Sequence, residues 1–355
     1  MSRGASTVRI AFLGDIHVGQ VTELTLSKSL QGMLAAADFV VANMESPITK
    51  RPAKATGKIT LSSCPESADI LRAWGVNVVS LANNHIFDSG KAGFDDTRSA
   101  LQDLGIQCFG AGDNLAEACQ PLCLTHSKKR VAILGCSEGK TESRSASADS
   151  YGCAPLDRKQ LRRQIQDLCR EYDGIIVQPH WGFCDYSLPS PQQLLIASEL
   201  TEAGATAVIG HHSHVVQGIS LTKTSVIAYS LGNFAFVEYD SRGHPSKLTK
   251  ENNQGVVLFF TLTDQKMVKV DLVHTLRRGS RVEIQESPLR ERTIQKRCEQ
   301  LKHENYRLCW QRAVGFRLMR RALYWSNPFR WPRLNRDQLR GFGWMLKGIF
   351  CSGVK

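Results

Sequence analysis

Asp15 and His17 close the apolar run IAFLGDIH, and four further apolar runs of the chain end in the same kind of chemistry. FVVANMES ends in Asn43 and Glu45, VVSLANNH in Asn83, Asn84 and His85, IIVQPHWG in His180, and AVIGHHSH in His211, His212 and His214. One such ending is ordinarily a turn or a cap. Five of them make a ligand set, because strand ends far apart in sequence can converge in space at the carboxyl edge of an α/β sheet. Carboxylate, carboxamide and imidazole without thiolate suit borderline-to-hard divalent ions such as Mn, Fe, Co or Zn. The donors outnumber what one tetrahedral ion needs, which favours two ions roughly 3.5–4 Å apart sharing a bridging carboxylate.

Spacing refines the set. In extended backbone, residues i and i+2 share a side, so Asp15 pairs with His17 and His212 with His214. His211 then points the other way and reads as a residue that supports a ligand or the fold. Asn83 reads as a turn former. Asn43, Trp181 and Asn233 stand beside the donors, where each can orient a ligand, meet substrate, or simply pack or turn. Lys58, Arg72 and Lys91 can contact an anionic substrate or belong to the solvated surface.

The elements that must hold these groups alternate. Short apolar runs at VRIAFLGD, FVVANME, NVVSLANNH, RVAILGC, GIIVQPHWG, ATAVIGHH and SVIAYSLGN read as buried strands. Helical periodicity marks KAGFDDTRSALQDLG, LDRKQLRRQIQDLCREY and SPQQLLIASELTEAG. Strand–helix alternation of this kind predicts an α/β domain with helices covering the sheet faces. QGVVLFFTLTDQKMVKVDLVH reads as a closing hairpin, and the Ser-rich stretch 140–152 as a mobile loop.

A chain of 355 residues, 42% hydrophobic, can bury a full core. Its net charge of +12 is unevenly placed: residues 277–355 hold 19 Lys/Arg against 6 Asp/Glu, leaving 26 basic and 27 acidic residues before them. A neutral main domain of residues 1–276 is therefore expected, with a basic, mainly helical extension over 277–355. The neutral domain argues against a nucleic-acid groove, and no groove-reading motif is present, so no specific nucleic acid is expected. Trp310, Trp325, Trp331 and Trp344 interleave with the arginines of the extension, a composition suited either to an anionic membrane surface or to packing back on the domain. Eleven scattered cysteines without a CxxC pair read as reduced core thiols. No apolar segment of signal or spanning length opens the sequence, so a cytoplasmic location is expected, with peripheral contact at the inner membrane face.

The order GDxH, acidic residue, NH, H, HxH resembles that of the calcineurin-like metallophosphatases. NMESPIT, SLANNHIFDSG, GAGDNLAEA, HWG, VIGHHSHVVQ and YSLGNFAF resemble, in order, the motifs of its CapA-type capsule and poly-γ-glutamate synthesis branch, over roughly residues 8–275. The resemblance implies a four-layer α/β/β/α sandwich with metals at the sheet ends. It implies Asp15, His17 and His214 at a first ion, Asn84, His180 and His212 at a second, Glu45 at the bridging position and His85 as general acid. Two departures stand out: His17, where the branch often lacks a histidine, and Glu45, one methylene longer than the superfamily's aspartate. The expected function is a dimetal-dependent hydrolase of a phosphoester or related anionic substrate, small molecule or polymer. The alternative is a capsule or polyglutamate assembly or binding factor that uses the metal fold without turnover.

Overall fold

The structure is a computed structural model that describes residues 7–55, 58–237, 249–264 and 268–325, with side chains through residue 315. Strands and helices alternate as the periodicity predicts. Along the first half run β1 (Val8–His17), β2 (Thr25–Leu26), α1 (Lys28–Ala35), β3 (Phe39–Met44), α2 (Ser67–Ala73), β4 (Val78–Ser80), α3 (Gly90–Asp103), β5 (Gln107–Phe109), β6 (Ala111–Gly112), α4 (Leu115–Ala118), β7 (Leu122–His126) and β8 (Lys129–Ser137). There follow β9 (Gly152–Cys153), α5 (Arg158–Leu168), β10 (Gly174–His180), α6 (Pro191–Glu202), β11 (Ala207–Ile209), β12 (Ile219–Leu221), β13 (Val226–Ala228), β14 (Asn233–Phe236), β15 (Gln254–Leu262), β16 (Val268–Arg278), β17 (Arg281–Ile284), α7 (Pro288–Gln300) and α8 (Tyr306–Trp325).

Two sheets form. One runs β2-β17-β16-β15-β1-β3-β4-β5, with β14 also paired to β1; the other runs β12-β13-β11-β10-β8-β7. The period of two along each central strand sorts side chains between layers. Ile10 and Phe12 of β1 face Ile133 and Ile176 of the second sheet in a shared core, while Ala11 and Leu13 face the other way, into a core with Leu30, Leu71, Phe94 and Leu101 of α1–α3. In the second sheet Ala132, Leu134, Ile175 and Val177 point outward to Leu161 and Ile165 of α5 and Ile196 and Leu200 of α6. The layers are therefore helix, sheet, sheet, helix, the four-layer sandwich expected.

Three helix starts are legible in the sequence. Asp157 caps α5 by accepting from Lys159 N and Gln160 N, and Ser287 caps α7 by accepting from Arg290 N. At α6, Ser190 and Gln193 form a capping box ahead of Pro191.

The hairpin expected in 254–274 is present as β15 and β16, paired from Gln254↔Leu276 to Leu262↔Val268. β16 continues through residue 276 to Arg278, and β17 and α7 follow it onto the sandwich. Ile294 of α7 is buried in the core between the sheets, so the sheet architecture runs past the boundary read from charge. Trp310 of α8 is buried against Phe183, Tyr186 and Tyr306, the packing alternative for that residue. The side chain of Trp325, with Trp331 and Trp344, lies outside the described residues. The Ser-rich stretch is tied down rather than loose: Ala146 N donates to Cys153 O (2.9 Å), Cys153 N to Arg144 O (2.8 Å) and Ser147 N to Ser150 O (3.0 Å). Serine supplies such turns with its own hydrogen bonds, so composition alone misleads there. Among the described residues no helix is long and apolar enough to cross a membrane, and no disulfide joins the cysteines.

Candidate metal centre

The carboxyl ends of β1, β3, β4 and β10 and the turn after β11 meet at one edge of the sandwich. Backbone irregularity aims the first donor. β1 pairs with β3 in register through Phe12↔Val41, then shifts so that Asp15 sits opposite Asn43. Bulges of this kind re-aim a side chain, and they recur beside active sites. Gly14 makes the approach possible, since a Cβ there would sit 2.1 Å from Gly232 O. Gly210 does the same ahead of the histidine cluster, where a Cβ would lie 2.0 Å from Tyr229 O.

His212 (φ 92°) and His214 (φ 56°) both occupy left-handed backbone. For a residue with a side chain this costs on the order of 1–3 kcal/mol each and persists only where surrounding contacts enforce it. Those contacts are visible: His211 N donates to Pro179 O (3.0 Å), Gly210 N to Ala228 O (2.7 Å) and His212 N to Asp15 Oδ2 (3.2 Å). A turn, rather than strand alternation, therefore brings His212 and His214 to the same centre.

Two poles share one carboxylate. At the first, the donor atoms of Glu45, His180 and His212 lie within 4.8 Å of one another. His180 Nε2 is 2.8 Å from Asn84 Oδ1, 3.0 Å from His212 Nδ1 and 3.5 Å from Glu45 Oε1. At the second, Asp15, Glu45 and His214 meet the same limit, with His214 Nε2 3.5 Å from Glu45 Oε1. Glu45 belongs to both groups. Its Oε1 is buried with no hydrogen-bond partner, a costly state for a carboxylate unless a cation completes it. Donors held about 2.0–2.2 Å from one ion must sit roughly 3 Å from each other, which is the spacing around His180 Nε2. The donor set thus fits divalent ions.

Charge follows the same logic. Burial opposes ionisation of Asp15, but hydrogen bonds and charge from His211 and His214 hold its carboxyl well below the usual range. Burial and the adjacent Asp15 push Glu45 well above the carboxylate range. Burial works against His214, yet Glu45 and Asp15 raise it well above an ordinary histidine. Burial and His212 push His180 well below the ordinary value, so its ring is a neutral lone-pair donor.

Around the poles stand residues that hydrogen-bond the donor side chains. Asn43 donates from Nδ2 to Asp15 Oδ1 (2.9 Å) and Glu45 Oε2 (3.4 Å). His211 Nδ1 bonds Asp15 Oδ1 (2.8 Å) and its Nε2 lies 2.9 Å from Gln178 Nε2, so it supports Asp15 and faces away from the poles. Asn233 Oδ1 meets His214 Nδ1 (2.9 Å), which leaves His214 Nε2 to face Glu45. Asn83 is the turn former: its Oδ1 accepts from His85 N (3.1 Å) and Ile86 N (2.9 Å). Trp181 is fully buried and donates from Nε1 to Tyr229 O (3.0 Å), which makes it a packing residue.

His17 stands apart from the rest. It is buried beside the centre, its Nδ1 3.0 Å from Ser46 Oγ, but it joins no donor group among the described residues. Its Nδ1 is also 3.3 Å from Ser63 Oγ, so two serine hydroxyls occupy that face of the ring. Burial and nearby His85 push His17 down to about 3, leaving it neutral.

His85 Nδ1 lies 2.7 Å from Asp88 Oδ2, and Asp88 Oδ1 pairs with Lys58 Nζ at 2.6 Å. Burial lowers His85 below the ordinary histidine value, only partly offset by Asp88. Lys58, read from sequence as surface or substrate contact, is thus engaged by Asp88 and by the Asn84 carbonyl. Lys91 pairs with Asp95 and Asp113 away from the centre, and Arg72 is exposed. Sequence reasoning missed Asp88, although three residues after His85 is a helical-turn spacing that pairs side chains. It also missed Cys184, whose Sγ is 3.6 Å from His212 Nε2 and which groups with His212 and His214. Burial opposes its ionisation, yet His212 and His214 bring the thiol down to about 6. A lone cysteine in a loop carries no motif that points to this.

The chain is similar over most of its length to proteins of capsule and PGA biosynthesis. The PGA biosynthesis protein CapA of Bacillus subtilis is 29% identical over 260 residues, 69% of this chain and 68% of that protein. The capsule biosynthesis protein CapA of Bacillus anthracis is 30% identical over 257 residues, covering 68% of this chain and 62% of that one. Among solved structures, a putative 5′-nucleotidase from Staphylococcus aureus aligns with TM-score 0.49 and 11% identity over 83% of this chain and 58% of that chain. The NAD nucleotidase of Haemophilus influenzae aligns with TM-score 0.46 and 12% identity over 82% and 56%. At these scores the architecture rests on the sheet order and core layers described above. Residues 9–238 match the bacterial capsule synthesis protein PGA_cap family, to which this chain belongs.

Proposed function

We propose that the chain is a divalent-metal-dependent hydrolase of a phosphoester or related anionic substrate. The observation that carries this reading is Glu45, a buried carboxylate common to two donor groups, with one oxygen lacking any hydrogen-bond partner. Asp15, Glu45 and His214 would hold one ion; Asn84, His180, His212 and Glu45 would hold a second. Ions bound there supply Lewis acidity that polarises a phosphoryl or acyl oxygen and offsets the negative charge of the transition state.

The remaining work falls to side chains. Asp88 engages His85 at Nδ1, which fixes the ring and leaves Nε2 as the atom that can hold a proton for a departing group. Lys58 balances the charge of Asp88, so the carboxylate steadies the imidazole without carrying an unpaired buried charge. Asn43, His211 and Asn233 keep Asp15 and His214 in the orientations their roles require. The test is hydrolysis of aryl phosphate monoesters and diesters by purified protein stripped of metal and then reloaded with Mn or Zn. Turnover restored by the ion and abolished in His212→Ala supports the reading; turnover that ignores the ion sinks it.

A second reading takes its support from the names of the relatives, both of them biosynthesis proteins of capsule or PGA. In it the centre binds an anionic polymer during assembly without cleaving it. Retention of a synthetic polyanion by metal-loaded protein, with no turnover of any ester, would favour it.

A further inference from the structure

Cys184 lies on the loop between β10 and α6, and the fold fixes that loop against the turn that carries His212 and His214. Asp185 N donates to Ser213 O (2.7 Å), Asn252 Nδ2 to Asp185 Oδ1 (2.8 Å), and Gln217 Nε2 to Tyr186 O (2.7 Å). Phe183, one residue before the cysteine, packs on Trp310 at 6.2 Å between ring centroids, and Tyr306 Oη donates to Pro189 O (2.7 Å). The first turns of α8 therefore brace the loop from outside while the histidine turn grips it from inside. A sulfur at a defined place results, exposed on one side and 3.6 Å from His212 Nε2 on the other.

The two nitrogens of His212 face different partners. Nδ1 lies 3.0 Å from His180 Nε2, inside the group that Glu45 and Asn84 complete. A nitrogen that gives its lone pair to an ion leaves the other ring nitrogen protonated, and in metal sites that N–H is almost always given to an acceptor, most often a carboxylate, carbonyl or water. Here the acceptor within reach is sulfur.

We infer that Cys184 is a positioning residue of the metal centre: its sulfur accepts the Nε2 hydrogen of His212 and holds the ring in the tautomer whose Nδ1 lone pair faces His180, Asn84 and Glu45. The inference rests on the metal-centre reading above. It adds a residue of softer chemistry to a centre whose donors are otherwise nitrogen and oxygen, and it places an oxidisable atom one contact from a ligand.

Cobalt(II) titration of metal-stripped protein, read by visible and near-ultraviolet absorption, is the test. The parent chain should bind cobalt without the intense near-ultraviolet band of a thiolate ligand. Cys184→Ala should bind it roughly 10–100-fold more weakly, the usual cost of losing a group that orients a ligand. Cys184→Asp, which restores an anionic acceptor, should recover most of the loss, which a purely structural role would not do. Equal affinity in parent and Cys184→Ala overturns the inference. A strong thiolate band in the parent that vanishes in Cys184→Ala overturns it too, because the sulfur would then be a ligand itself. Cobalt-loaded parent that hydrolyses no ester would sink the hydrolase reading and leave this one standing, while a parent that binds no cobalt overturns both.

Discussion

At the scale of single residues, the proposed metal centre sets protons against cations. Glu45 and His214 both titrate above their ordinary values, Glu45 through burial and Asp15, His214 through Glu45 and Asp15 against its own burial. Both shifts favour protons at the proposed metal centre, and a divalent ion bound there would have to displace them. Affinity should rise with pH and fall on acidification, with proton release on binding detectable by calorimetry in buffers of different ionisation enthalpy; an affinity flat between pH 6 and 8 would contradict the assignment. His85 has a different part in the proposed chemistry. His85→Asn should keep its metal and slow turnover by ~10²–10⁴-fold, the span typical of a lost proton donor. Because His85 titrates below the ordinary histidine value, its protonated fraction grows only as pH falls. Turnover by fully loaded enzyme should therefore increase toward acid until the ions are lost. Measured metal content alongside rate separates the two effects.

At the scale of elements, strand ends and glycines set the geometry. The approach of β1 to the turn before β14 leaves no room for a side chain at residue 14, with Gly232 O 2.1 Å from a Cβ placed there. Gly14→Ala should displace Asp15 and lower metal affinity even if the chain remains folded, as circular dichroism and metal titration together would show. The strands and principal helices were legible because their periods are strong: Ile175, Ile176 and Val177 already mark a strand buried on both faces. The donors were legible because they fall at the ends of such strands. What was not legible depends on irregular backbone. The left-handed turn of His212 and His214 replaces the alternation expected to pair them. Contacts between remote loops, such as Cys184 with His212, leave no local pattern at all.

At the scale of the whole molecule, charge and architecture divide the chain differently. The basic excess begins near residue 277, but β16 crosses that point and α7 buries Ile294 in the core between the sheets. Trp310 is 7% exposed in a cluster with Tyr186 and Tyr306. Trp310→Ala should cost about 3 kcal/mol through the cavity it leaves, read as a lower unfolding midpoint, and should loosen the loop that carries Cys184. Contact with an anionic membrane through residues 277–355 is a proposal, and within that segment residues 326–355 hold 6 Lys/Arg against 1 Asp/Glu. Full-length protein should sediment with anionic liposomes in a salt-sensitive way, and a chain ending at residue 325 should not. Equal sedimentation of the two would remove that proposal.

Five strand ends gather at the proposed centre, and ions held there would perform the proposed hydrolysis. The most direct measurement follows bound metal and turnover of an aryl phosphate together as Mn or Zn is added to stripped protein. Binding should saturate at about two ions per chain, with turnover rising as the sites fill and lost with the metal in His212→Ala. Protein that binds no divalent ion, or turns over ester equally well when stripped, would contradict the proposal.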